Sequence, residues 1–525
     1  MSKHYCSEEE LREKLSEGIR VLSENVGSTL GPKGRNVIIR QKGGKPFITK
    51  DGVTVAKFVD LDDPAMDVAA QIVKEASAKT NIEAGDGTTT STILAGAIFL
   101  AADQALNSSP PANATDLKRG IDKAVAAVVQ ELNNRSRPIS SKKDIAHIAS
   151  LSANNDRVIG ELISEAVDKV GKNGSITIRE AKSVDTTLDL VEGFRFDSGY
   201  AAGAFVTDER RKVVNYDDPM FLITDSKLDR VEQILPALEI AARESRPFVI
   251  IADEIEGQAL AALIMNTVRG SMKVVAVKAP RYGETRRSIM SDLALTTGAR
   301  FFRKSEGDDL SKPNLVDFGS SKSVEIGQSV TTIVGGEGNL AKIEEHIEDL
   351  KQDIKNEESI DECHRIQERI TRLASGIAVI KVGAHTEVEM IEKKHRIEDA
   401  LEAVRSAQLE GVVPGGGITL LSIARSLEVE TDNRDQSWGV EIVKEAICAP
   451  IVKMSENSGL DAHSVLSKLR EIEEHSIGMD FSTGELVDFF DSGIIDPAKV
   501  TRCALQNAAS VAGTLITTNF AVLEN

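Results

Sequence analysis

Aromatic side chains are scarce in this chain: they make up 4% of its 525 residues, and Trp438 is the only tryptophan. A core with so few rings has to be closed by Ala, Val, Ile and Leu, which favours helices packed at short range. Cysteine is scarcer still. Cys6, Cys363, Cys448 and Cys503 lie far apart, with no C-x-x-C and no histidine at metal-ligand spacing. That excludes a disulfide framework and a zinc knuckle, and reduced thiols are expected. Basic residues are in deficit, 63 Lys and Arg against 82 Asp and Glu, for a net charge of −19. Nucleic acid or an anionic membrane needs clustered cations, so neither is expected as a partner. No apolar run approaches the roughly 18 residues of a membrane helix, and residues 1–11 lack the apolar segment of a signal peptide. The expectation is a soluble protein of the cytoplasm.

What the chain does carry is glycine placed beside acids and hydroxyls. In Ala84-Gly85-Asp86-Gly87-Thr88-Thr89-Thr90, two glycines bracket an aspartate and three threonines open an apolar helical run. Glycine lets the backbone turn where a Cβ would clash, so N–H groups can converge on an anion. A helix start adds unpaired amides and the positive end of a dipole. Asp86 suits a hard cation such as Mg²⁺, which takes one or two carboxylates plus phosphate oxygens. A glycine turn with threonine caps accounts for the same residues. Other turns flank it: Ser28-Thr29-Leu30-Gly31-Pro32-Lys33-Gly34-Arg35-Asn36, Lys50-Asp51-Gly52 and Gly411-Val412-Val413-Pro414-Gly415-Gly416-Gly417. None fits G-x-x-x-x-G-K-[ST], which excludes a P-loop. An ATPase-like or kinase-like reaction also needs a carboxylate to orient the attacking group. Asp51, in its turn, or Asp399, in a predicted helix, suits that role; Asp496 is a further acid beside glycine turns. For each, a capping or solvated aspartate is the alternative. Asp253-Glu254 resembles a carboxylate pair, and a capped strand-to-helix loop explains it as well. No Ser/His/Asp set is recognisable among the eight histidines.

At this length two to four domains are expected. Leu11, Leu15, Ile19 and Leu22 recur at helical spacing and predict a helix over 7–26. Further helices are predicted over 64–80, 92–106, 116–132, 142–151 and 158–170. From about residue 193 strands alternate with helices: strands 221–224, 248–252 and 274–277, helices 231–244, 257–268 and 289–297. Apolar runs of this kind read as buried parallel strands in an α/β layer. Residues 340–372 read as an antiparallel helical hairpin, followed by a strand over 377–382 and a long helix over 387–409. Helices over 419–427, 440–455, 461–470 and 497–512 close the chain. Helical ends around an α/β block place the first and last thirds in one domain with the middle inserted. Within that middle, Leu235, Leu238, Leu260, Ile264 and Met265 either pack as core or form an exposed groove for a partner.

Thr29-Leu30-Gly31-Pro32-Lys33-Gly34-Arg35-Asn36, Thr49-Lys50-Asp51-Gly52-Val53, Gly85-Asp86-Gly87-Thr88-Thr89-Thr90, Val412-Val413-Pro414-Gly415-Gly416-Gly417 and Asp496-Pro497-Ala498-Lys499-Val500-Thr501 occur in this order. Together they resemble the group I chaperonins, the bacterial 60 kDa (GroEL) family with its mitochondrial and plastid relatives, from about residue 15 to 518. The resemblance implies a multidomain fold. A mostly α equatorial domain would span 1–134 and 410–525, a small α/β intermediate domain 135–191 and 377–409, and an α/β apical domain 192–376. It implies ATP held by Thr29, Leu30, Gly31, Pro32, Lys50, Asp86, Gly87, Thr88, Thr89, Thr90, Gly416 and Asp496, with Asp480, Phe481 and Ser482 on the adenine side. Mg²⁺ would sit on Asp86, with K⁺ as a further cation. Asp51 and Asp399 would be the catalytic residues that place the attacking water. Non-native polypeptides and a GroES-like lid would dock on Tyr200, Phe205, Leu235, Leu238, Leu260, Ile264 and Met265.

The implied function is an ATP-hydrolysing folding machine, a homo-oligomer of heptameric rings. The alternative is a divergent paralogue that mainly binds or scaffolds polypeptides, with weak ATP turnover. Several positions depart from the family pattern. Asp480-Phe481-Ser482 replaces an Asn followed by small residues, and Ala201, Ala202, Gly203 and Ala204 trim the apolar rim near Tyr200. Ser198 stands for an arginine, Arg434 for an acid, and the Gly/Met-rich tail has no counterpart before Asn525.

Overall fold

The two ends of the chain fold together: residues 1–165 and 391–525 form one unit and residues 166–390 another. The computed structural model describes residues 3–6, 8–40, 47–139, 141–171, 175–181, 183–308, 310, 312–357, 359–374 and 376–524. Ser7, the first residue of the first predicted helix, and Asn525 lie outside the described residues.

In the first unit, helices Glu8–Gly27, Pro64–Ala84, Thr88–Leu106, Ala114–Arg135, Arg434–Ala446 and Ala498–Ile516 share one core. The last of these packs against Thr88–Leu106, Pro64–Ala84 and Ala114–Arg135. Small residues let the helices approach closely. A Cβ on Gly120 would lie 2.0 Å from the Gln436 carbonyl, and one on Gly439 would lie 2.4 Å from that of Leu117. Alanine and glycine at such crossings take the place that ring stacking holds in other cores. Thr88–Leu106 corrects one expectation, for it is long and apolar enough to cross a membrane by length and composition. Its Leu94, Ala95, Ile98, Phe99 and Ala102 are buried in the helical core instead. The helix predicted over 440–455 is two, Arg434–Ala446 and Ala449–Asn457. Pro450 has no N–H to continue the first and sits in the opening turn of the second.

The second unit is built on a ten-stranded sheet. Val274–Lys278, Phe248–Ala252 and Met220–Thr224 run parallel at one end, followed by Gly319–Ile326, Thr331–Gly336, Thr187–Phe196, Gly376–Val382 and Ser175–Glu180. The apolar runs are buried along their length, as parallel strands covered on both faces require. The helix predicted over 231–244 is a short 3-10 turn, Val231–Gln233, and then Leu235–Glu244, which carries Pro236 in its first turn. The predicted hairpin is present as Leu340–Asn356 and Ile360–Ala374. It is tied to helix Gly283–Thr297 through Asp292, which has no solvent exposure. The Asp292 carboxylate accepts from Arg369 Nε at 2.9 Å and Nη2 at 2.7 Å, and pairs with His346 Nε2 at 3.0 Å.

Candidate functional site

The predicted glycine turns come together in the first unit. A Cβ on Gly52 would lie 2.0 Å from Thr89 Oγ1 and 3.7 Å from Thr29 Oγ1, so only glycine admits all three segments here. Lys50 Nζ donates to the Gly31 carbonyl at 3.1 Å, joining the second turn to the first. Burial pushes the Lys50 ammonium below its ordinary pKa. Gly31, with φ of 81°, packs on Met454, and Leu30 packs against the cluster of Ile418, Met454, Phe481 and Phe489. Asn457 Nδ2 holds the loop from behind, donating to the carbonyls of Gly27 and Leu30, each at 2.9 Å. Pro32 is exposed at the loop's rim.

Three acids face this space. Asp86 Oδ1 accepts from the Gly87 N–H at 2.5 Å, and Oδ2 accepts from the Ser152 hydroxyl at 3.0 Å. Burial raises its carboxyl above the usual range, the two hydrogen bonds hold it partly down, and the charge of Asp51 adds to the rise. Asp496 is placed by the antiparallel pairing of Val412–Pro414 with Ile495–Pro497, where it stands opposite Val413. Burial, then the charge of Asp86, push its pKa up to about 6, while the Gly416 N–H holds it down. Asp51 caps helix Gly52–Phe58, its carboxylate accepting from the N–H groups of Val53 and Thr54 at 3.1 Å and from Thr54 Oγ1 at 2.6 Å. It is thus the capping aspartate of the alternative reading, and a carboxylate with about four lone-pair sites keeps one for water.

The helix Thr88–Leu106 starts in this cleft, behind Gly87 at φ of 89°. The Thr88 hydroxyl is buried and has no hydrogen-bond partner among the described residues. Such a group at a helix N-terminus of free amides is matched by an anion's oxygen. Thr89 and Thr90 stand partly exposed in the same turn. The long helix Glu387–Glu410 lies against this turn. A Cβ on Gly85 would meet Glu402 Cβ at 2.1 Å, and Ser406 Oγ donates to the Ala84 carbonyl at 2.7 Å. Asp399 is three residues before Glu402, on the same helix face.

Two sets of expectations need correcting. On the adenine side, Phe481 is buried in the apolar cluster, and Asp480 is spent on its own turn, accepting from the Ser482 N–H at 2.8 Å and from Thr483 Oγ1 at 3.3 Å. Only Ser482 of the three is exposed. In the second unit, Phe205 is fully buried, because the 3-10 turn Gly203–Phe205 packs against helix Gly257–Val268. Leu238 is 6% exposed and faces the core with Ala237 and Ala241. Leu235 and Met265 are exposed, Tyr200, Leu260 and Ile264 partly so, and Val268, which the sequence did not single out, is 68% exposed. Asp253-Glu254 is structural: Asp253 pairs with Arg286, and Glu254 and Glu256 with Lys227 at 3.0 and 2.7 Å.

Ser152, Glu402 and Asn457 escaped the sequence reading. Each acts across 66 to 430 positions of chain or through a packing contact, and none sits in a motif.

A helical unit closed from both chain ends around a cradle of glycine turns and acids, with an α/β unit inserted, defines a chaperonin fold. The TCP-1/cpn60 chaperonin family model matches residues 22–524, and the chain belongs to that family. The fold is similar to two crystal forms of the chaperonin gp146 from the bacteriophage EL 2 (Pseudomonas aeruginosa), both obtained in the presence of ATP-BeFx. The TM-scores are 0.67 and 0.62, at 21% and 20% identity, over 99% of this chain and 99% of theirs.

Proposed function

We propose that this chaperonin binds Mg·ATP in the cradle of the first unit and hydrolyses it to drive capture and release of non-native polypeptides. The observation that carries the reading is the orphaned, buried Thr88 hydroxyl at a helix start beside two carboxylates of raised pKa. The Thr88–Thr90 amides and hydroxyls would take phosphate oxygens, and Lys50 would add a donor beside the Gly31 loop. No group of three His, Cys, Asp or Glu that could hold a metal alone occurs among the described residues. Asp86, with Asp496 nearby, therefore suits a cation whose remaining ligands are phosphate and water, as Mg²⁺ prefers. When bound, Mg²⁺ would supply charge neutralisation on the phosphates. Asp399 and the remaining lone pair of Asp51 are the groups this reading assigns to orienting a water.

Exposed Leu235, Met265 and Val268, with partly exposed Leu260 and Ile264 beside them, support the capture surface, since exposed apolar side chains attract unfolded segments without directional demands. In this reading the protein works in the cytoplasm as a homo-oligomeric, heptameric ring closed by a GroES-like lid, with K⁺ as a further cation. The test is titration of a fluorescent ATP analogue with Mg²⁺, beside suppression of aggregation of a denatured polypeptide. Thr88→Val is expected to weaken nucleotide binding about tenfold, the worth of one hydrogen bond to a charged oxygen. Unchanged binding would remove Thr88 from the phosphate site.

Asp496 makes the site pH-dependent. Its folded pKa of about 6 lies above the ordinary 3.8, so between those values the folded chain holds more protons than the unfolded one. The resulting stabilisation of the ligand-free protein is complete below the unfolded value and is lost as pH rises through about 6. Cation binding needs the ionised acids and runs the other way. Thermal midpoints at pH 5 to 8 should show the ligand-free protein gaining stability toward pH 5, and the increment from Mg·ATP shrinking below about pH 6.

A further inference from the structure

We infer that Ser152 is a positioning residue for the cation, acting through Asp86; the inference rests on the Mg·ATP reading above. Its hydroxyl donates to Asp86 Oδ2 at 3.0 Å, while the Gly87 N–H occupies Oδ1. Two donors, one on each oxygen, fix the plane of the carboxylate and leave one lone-pair direction on each oxygen for a cation. Ser152 closes helix Lys142–Ser152, whose other contacts hold it over the same acids. A Cβ on Gly493 would lie 2.2 Å from His147 Nδ1, and the helix packs on Ile495–Pro497, the strand that carries Asp496. The helix therefore touches the segments of both acids, and the Ser152 hydroxyl is its hydrogen bond to the Asp86 carboxylate. A hydroxyl that orients a ligating carboxylate sets metal affinity, and loss of such a partner typically lowers it 10- to 100-fold.

The experiment compares wild type, Ser152→Ala and Ser152→Thr by titrating Mg²⁺ against binding of a fluorescent ATP analogue, without turnover. Ser152→Ala is expected to raise the half-saturating Mg²⁺ concentration at least tenfold. Nucleotide binding in excess chelator should stay as in wild type, and Ser152→Thr, which keeps the hydroxyl, should restore the Mg²⁺ dependence to within about threefold. A thermal scan of each variant reports whether the helix still folds. If Ser152→Ala leaves the Mg²⁺ dependence unchanged, or Ser152→Thr fails to restore it in a folded protein, the positioning role is overturned. Wild-type protein that binds no Mg·ATP would instead overturn the reading underneath, and this inference with it.

Discussion

Asp399→Ala is expected to bind Mg·ATP as wild type does and to hydrolyse it at least about a hundredfold more slowly, the lower end of what one proton-handling carboxylate contributes. Glu402 Cβ sits where a Cβ on Gly85 would lie, so helix Glu387–Glu410 is pressed on the turn that presents Asp86. One helical turn earlier on that face stands Asp399, which puts a carboxylate on the helix that packs against the Asp86 turn. The Asp51 carboxylate, by contrast, already accepts three hydrogen bonds as its own helix cap. It is the weaker candidate for abstracting a proton, and Asp51→Asn should cost less than Asp399→Ala. Single-turnover hydrolysis alongside equilibrium nucleotide binding separates the outcomes. Equal rates in wild type and Asp399→Ala would strip Asp399 of its role. Negligible turnover in both would favour a chaperonin that works mainly as a binder or scaffold.

The largest effect on stability is expected at Arg369. Asp292 is fully buried, and the guanidinium supplies two of its charge-assisted hydrogen bonds. Removing one partner of a buried ion pair leaves an uncompensated charge and costs about 3–5 kcal/mol. Arg369→Ala should therefore lower the thermal midpoint of the 166–390 unit by about 6–20 °C, at roughly 2–4 °C per kcal/mol for a unit of this size. His346, whose Nε2 also lies at 3.0 Å from the Asp292 carboxylate, would keep its contact and limit the loss. The double variant Asp292→Ala/Arg369→Ala should be more stable than Arg369→Ala alone, because it no longer strands a carboxylate. A double variant no better than the single one would show that the hairpin is held by Leu350, Ile366 and Ile370 rather than by the ion pair.

What could be read from the chain alone follows the range over which each signal acts. Helical spacing in residues 11–22, the buried strands of 248–252 and 274–277, and the glycine turns are local. Each was set by propensity or steric necessity within a few residues. The break at Pro450 was equally local and could have been seen; the apolar stripe on both sides hid it. The burial of Phe205 and Phe481 was not legible, because only the neighbours brought up by the fold decide whether a ring lines a surface or fills a core. Ser152 on Asp86 and Arg369 on Asp292 join positions 66 and 77 apart, and neither partner carries a mark of the other. For the site, the motifs supplied the floor of the cradle, and the fold supplied what braces it.

The first unit's reliance on both chain ends has a consequence for biosynthesis. Helix Thr88–Leu106 leaves the ribosome long before helix Ala498–Ile516, against which it packs. At about 5–20 residues per second, the 410 positions between Leu106 and Ile516 take roughly 20–80 s to translate. Throughout that interval the most apolar long helix among the described residues has its N-terminal neighbours Glu8–Gly27 and Pro64–Ala84 but not the C-terminal helix that completes its cover, so part of its apolar surface waits on the last stretch of chain to be made.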